Sequence, residues 1–92
     1  MRPRITMNLC PEGEFQLWLN KEGRDLLVKE LLGLSEHSDH FHMSPREWGE
    51  PEVELSTRPY HQTDKLISVA KVMFRTDEMD RKHFPHVLNE TE

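Results

Sequence analysis

The stretch Phe15 to Met43, FQLWLNKEGRDLLVKELLGLSEHSDHFHM, constrains this chain more than any other, because its start signals, periodicity and stop signals agree. Phe15, Leu17 and Leu19 alternate with Gln16, Trp18 and Asn20, the period-two pattern of a strand with one buried face. Asn20 is placed to cap a following helix, and Glu22 and Asp25 stand where the helix dipole favours negative charge. Leu27, Leu31 and Leu34, flanked by Val28 and Leu32, make one wide apolar stripe, and Gly33 stands where a left-handed C-terminal cap is expected. Between Ser38 and Ser44, Asp39, Phe41 and Met43 alternate with His40 and His42 in a further strand, which Pro45 stops.

On the N-terminal side, Ile5, Met7 and Leu9 alternate with Thr6 and Asn8. Pro11-Glu12-Gly13 supplies a turn, so the first two runs predict a hairpin. Beyond the PREWGEP loop, Val53, Leu55 and Thr57 alternate against Glu54, Ser56 and Arg58 up to Pro59. The segment DKLISVAKVMFR fits a helix (Leu66, Val69, Ala70, Met73) nearly as well as a strand (Leu66, Ala70, Val72, Phe74). Its β-branched Ile67, Val69 and Val72 favour the strand. A charged tail runs over about 76–92, with a short docked piece expected at Phe84, Val87 and Leu88 and a frayed NETE end. These elements predict one α+β domain over 1–92 with its core at about 4–75: an antiparallel sheet of four to five strands with one main helix packed on one face. The helix is expected to cover Phe15, Leu17, Leu19, Phe41, Met43, Val53 and Leu55. Trp18, His40, His42, Glu54 and Arg58 are left on an open face.

Ninety-two residues bury about 60–65% of the unfolded chain's surface, too little for a deep dry cavity. Twelve basic against seventeen acidic residues give a net charge of −5, which repels phosphate backbones and counts against nucleic-acid binding. The same charge favours basic partners. Cys10 is alone, so it forms no internal disulfide and reads as a structural thiol in a reducing compartment. The start MRPRITMNL lacks the apolar run of a signal peptide, and no apolar stretch approaches the ~18 residues of a membrane span, so a cytoplasmic protein is expected.

Catalytic motifs are missing: there is no G-x-S-x-G, no P-loop and no glycine-rich dinucleotide turn. Neither an enzyme nor a cofactor is expected. His37, His40 and His42 with Asp39 are the densest set of potential metal ligands. On a flat strand His40 and His42 stand about 7 Å apart, wide for two zinc bonds of ~2.0–2.1 Å, and solvated or hydrogen-bonded strand histidines are expected instead. His40 with Asp39 also reads poorly as a base with its orienting carboxylate, since strand neighbours point to opposite faces.

Trp18 and Trp48 carry more information. A tryptophan on an uncovered sheet face, beside a loop bearing a second one, has the character of a binding hot spot. The bland alternative is that the C-terminal tail folds over Trp18. Glu47, Glu50, Glu52 and Glu54 surround Trp48 in the most acidic stretch; such runs are usually solvated loops, but beside an aromatic anchor they steer basic partners.

The order of elements, with LNKEGRDLLVKELLGL, the step His40-Phe41-His42-Met43 and the later ELS and LISVAKVMF strands, resembles a family of small bacterial immunity proteins of polymorphic toxin systems, the thirty-second immunity family. The resemblance covers roughly Phe15 to Phe74. It implies an α+β protein without cofactor or catalysis that binds and neutralises a cognate toxin domain. The expected binding residues are Trp48, Glu50, Glu52 and Tyr60 from the loops, with Trp18, His40 and His42 from the open face. A homodimer pairing through that face, and a histidine-rich metal-binding protein, are the alternatives.

Overall fold

The computed structural model describes residues 2–88. Met1 and the NETE end, expected to fray, lie outside the described residues. The chain runs β1 (Ile5–Leu9), β2 (Phe15–Leu19), α1 (Lys21–Leu32), β3 (His40–Ser44), β4 (Val53–Glu54), β5 (Lys65–Ile67), β6 (Ala70–Met73) and α2 (Asp77–His83), with 3-10 turns at Arg46–Trp48 and Pro85–Leu88. Among the described residues no helix is long and apolar enough to cross a membrane.

The predicted hairpin forms, with Ile5 opposite Leu19, Met7 opposite Leu17 and Leu9 opposite Phe15. Gly13 turns it at φ +99°, a conformation open to glycine, and its N–H reaches the Cys10 carbonyl at 2.8 Å. Asn20 caps α1 as its sequence position suggests: its Oδ1 accepts from the Gly23 N–H at 2.7 Å. The same oxygen accepts from the Arg4 N–H at 2.8 Å, and Nδ2 donates to the Arg2 carbonyl at 2.9 Å. One carboxamide therefore joins the helix start to the segment entering β1. Gly23 completes the junction, since a Cβ there would lie 2.5 Å from the Arg4 carbonyl oxygen and 2.9 Å from Ile5 Cγ1.

The expected single antiparallel sheet is instead two three-stranded sheets, ordered β2-β1-β5 and β4-β3-β6. The DKLISVAKVMFR segment, whose β-branched residues favour a strand over a helix, forms two: β5 antiparallel to β1 and β6 antiparallel to β3. Its chain leaves the first sheet at Ser68–Val69 and enters the second. β4 pairs with β3 in parallel, Met43 opposite Val53. The loop over 45–52 thus returns the chain to run alongside β3 in the same direction. The Leu55 N–H continues the pairing to the Ser44 carbonyl at 2.8 Å, and the Ser56 N–H bonds the Ile5 carbonyl at 2.8 Å, tying the two sheets together.

Ile5, Met7, Phe41, Met43, Val53 and Leu55 make the buried core, with Leu26, Leu27 and Leu34 packed against it. The expected inward set is therefore right for β3, β4 and Leu55 and wrong for β2. Phe15, Leu17 and Leu19 are 52%, 42% and 38% exposed. β2 is an edge strand, and α1 lies over β1 and the second sheet, leaving that edge uncovered. The leucine stripe is correspondingly narrower than predicted: Val28, Leu31 and Leu32 face solvent. Gly33 also departs from expectation, adopting right-handed φ −79° and ψ −8° while its N–H bonds the Lys29 carbonyl at 3.1 Å.

The opposite face of the hairpin, expected to be open, is covered by residues 56–64. Tyr60 stacks on Trp18 with ring centroids 4.2 Å apart, and the buried Asn8 donates from Nδ2 to Asp64 Oδ2 at 2.9 Å. The tail is more ordered than predicted. Thr76 caps α2 by accepting from the Met79 N–H at 3.1 Å, and Arg75 donates to Asp80 at 2.8 Å while lying over the Phe84 ring. Its docking is partial, because Phe84 and Val87 stay about half exposed and Leu88 is partly buried.

Candidate partner-binding surface

β3 places His40 and His42 outward while Phe41 and Met43, 2% and 4% exposed, anchor the strand in the core. Pro45 then breaks the strand, the Arg46–Trp48 turn lifts Trp48 out, and Gly49 at φ +115° redirects the chain. β4 pairs only with the end of β3, which leaves the His42 N–H without a strand partner; the Glu52 carboxylate accepts it at 2.7 Å. A groove of about 320 Å³ results, lined by His42, Trp48, Glu50, Glu52, Val69 and Ala70 among others. Trp48 and Val69 are 61% and 64% exposed beside it.

The histidine rings lean together. Their centroids are 5.1 Å apart with planes at 86°. Asp39 precedes the first residue of β3, so strand alternation does not turn it away, and its Oδ1 meets His40 Nδ1 at 2.8 Å. This corrects the expectation that the two point to opposite faces. That hydrogen bond holds the Asp39 carboxyl below its ordinary range. Glu52, 3.7 Å from His42 Nδ1, is likewise held down, first by the His42 backbone N–H, then by its own backbone N–H and by the neighbouring histidines when they are protonated.

The residues singled out from sequence divide into two groups. His40, His42, Trp48, Glu50 and Glu52 gather around β3 and the loop after it. Trp18 and Tyr60 stack on the outer face of the β2-β1-β5 sheet, where Trp18 is half-buried and its Nε1 has no hydrogen-bond partner among the described residues. The cover over Trp18 is thus the segment before β5, not the C-terminal tail. Val69 was missed as a surface residue, because its β-branched side chain reads as core. A second cleft of about 550 Å³, lined by Arg2, Arg4, Arg46 and Arg58, was also missed, since those positions are scattered in sequence. Glu54 pairs with Arg2 at 3.2 Å and with Arg46 at 3.6 Å, tempering the positive charge there.

Cys10 is 7% exposed, and burial, then the charges of Asp64, Glu12 and Glu14, push its thiol up. The thiol is thereby kept protonated, consistent with a structural role. No family model, curated protein or solved structure matches this chain. The surface has a chemistry of its own: an exposed aromatic and an exposed aliphatic side chain lining one groove, with the Glu50 and Glu52 carboxylates and the His42 imidazole.

Proposed function

We propose that this protein is a binding module that neutralises a cognate bacterial toxin domain in the cytoplasm by non-covalent occlusion, using the Trp48 groove as its docking surface. The observation that carries the reading is Trp48 itself, 61% exposed on a turn fixed by Pro45 and Gly49, next to Val69 and within a loop bearing Glu47, Glu50 and Glu52. A tryptophan anchor inside a polar rim is the composition of an interface hot spot, and the acidic rim steers a basic partner surface. The resemblance of the Phe15–Phe74 segment to immunity proteins supplies the partner class. Tyr60, stacked on Trp18, belongs to a separate face and contributes only if the toxin reaches around the molecule.

The test is to look for a toxin domain encoded beside this chain's gene and to measure growth protection against it. Wild type should restore growth, and Trp48→Ala should weaken binding by about 2 kcal/mol or more in a pull-down titration. Full protection by a Trp48→Ala, Glu50→Ala double variant would overturn the placement, and lack of protection by wild type would overturn the function.

A homodimer is the second reading, favoured by the apolar edge strand β2 with Phe15, Leu17 and Leu19 exposed. Antiparallel pairing of two β2 edges would join the sheets of two copies and set those side chains beside their counterparts. Light scattering decides it: a monomer at every concentration, unchanged by Leu17→Lys, removes the dimer.

A further inference from the structure

We propose that His40 and His42 form a binding site for a divalent transition-metal ion of the zinc class, each ring ligating through Nε2 while Asp39 and Glu52 flank the Nδ1 sides. The inference is independent of the toxin-binding reading. It rests first on ring geometry. A metal–nitrogen bond of about 2.0–2.1 Å, with about 1.1 Å more to the ring centre, places two imidazoles on one tetrahedral ion about 5 Å apart between centroids. The centroids here are 5.1 Å apart. Alternate strand positions start about 7 Å apart, and the lean of the two side chains brings the ring centres to the separation that a shared ion requires.

The second support is the carboxylate behind each ring. Metal-bound histidines donate their other ring N–H to a carboxylate or carbonyl, which fixes the tautomer and raises ligand basicity. Asp39 Oδ1 lies 2.8 Å from His40 Nδ1, the placement in which a carboxylate accepts from Nδ1–H and Nε2 is the ring atom turned to a metal. Glu52 stands 3.7 Å from His42 Nδ1, close enough to play the same part with a small side-chain rotation. Lys71, opposite His42 on β6, is a positive charge on the same face, and the two carboxylates outweigh it. Rigidity is the third support, since β3 is the central strand of its sheet and Phe41 and Met43 hold it from beneath. The remaining coordination positions are left to water. Among the described residues, Cys10 with Glu12 and Glu14 is the one set of three donors within 4.8 Å of one another, and it serves as the internal control.

The experiment is competition for Zn²⁺ between the full chain and a chromogenic chelator at neutral pH, with long-range ¹H–¹⁵N spectra of the imidazoles. The expected result is one saturable site, Nε2 shifts confined to His40 and His42, and at least ~10-fold weaker binding in His40→Ala and in His42→Ala. Asp39→Asn should weaken binding by about 10–100-fold, the usual effect of removing an outer-shell partner. His37→Ala and Cys10→Ser should bind as wild type does. The histidines are solvent-exposed, so circular dichroism of the variants should match wild type. No saturable competition, or binding that survives the His40→Ala, His42→Ala double variant, would overturn the site. So would loss of binding in Cys10→Ser, which would place the ion at the hairpin turn.

Discussion

Replacing a helical glycine by alanine ordinarily stabilises a protein, and Gly23 is where this fold should reverse the sign. An alanine Cβ at this position would stand 2.5 Å from the Arg4 carbonyl oxygen, 2.9 Å from Ile5 Cγ1 and 3.0 Å from Asn20 Oδ1. The closest of these atoms is backbone entering a buried strand, so it cannot rotate aside, and relief requires the helix start to move by about 1 Å. Overpacking of this kind costs about 1–3 kcal/mol. Movement also stretches the Asn20 cap, worth about 1 kcal/mol, while alanine returns about 1 kcal/mol of helix propensity. The net is a destabilisation of about 1–3 kcal/mol, or a drop in Tm of roughly 5–20 °C for a domain of this size. Gly33→Ala is the matched control. Its φ of −79° suits any residue and its added Cβ would have nothing nearer than 3.5 Å, so Tm should hold or rise slightly. Thermal and urea unfolding by circular dichroism measure both. A Gly23→Ala protein at least as stable as wild type would refute the close seating of α1 on β1.

Two further outcomes follow from buried and ionised groups. Thr6 is 1% exposed and its hydroxyl has no partner among the described residues, so Thr6→Val should raise stability by about 1 kcal/mol in urea unfolding; a loss of that size would show the hydroxyl to be bonded. Asp39 and Glu52 have folded-state pKa values lowered from ordinary values of 3.8 and 4.5, so the stability they confer is complete above those values and is lost as pH falls through the lower folded ones. An Asp39→Asn, Glu52→Gln double variant should therefore show a shallower loss of stability on acidification below about pH 5. An unchanged acid limb would remove both carboxylates from that role.

Much of this architecture was legible wherever a local signal determines a local structure. The hairpin, the Asn20 cap and β3 all follow from alternation, turn residues and a capping side chain. Alternation sorts a strand into two faces without naming the buried one, and β1 shows why: Ile5 and Met7 face the core, while Thr6 and Asn8 are buried just as deeply beneath residues 56–64. The more apolar set on β2 therefore stayed outside. Periodicity is equally silent about the exit at Ser68–Val69, since β5 and β6 continue one apolar pattern in different sheets. Parallel neighbours normally need a crossover of about a dozen residues or more, and β3 and β4 escape that expectation because their pairing is so short. At the candidate surface, the acidic aromatic loop was visible as composition. The Val69 neighbour and the Asp39–His40 contact depend on a sheet register and a strand end that no local signal specifies.

The three backbone groups held by Asn20 have a consequence for how the molecule opens. The Arg4 and Gly23 amides share one acceptor oxygen, so hydrogen exchange at either site requires the same side chain to let go. The start of the chain and the first turn of α1 therefore unlatch as one cooperative unit instead of fraying separately. Strain applied to the segment entering β1 is therefore felt at once in the first turn of α1.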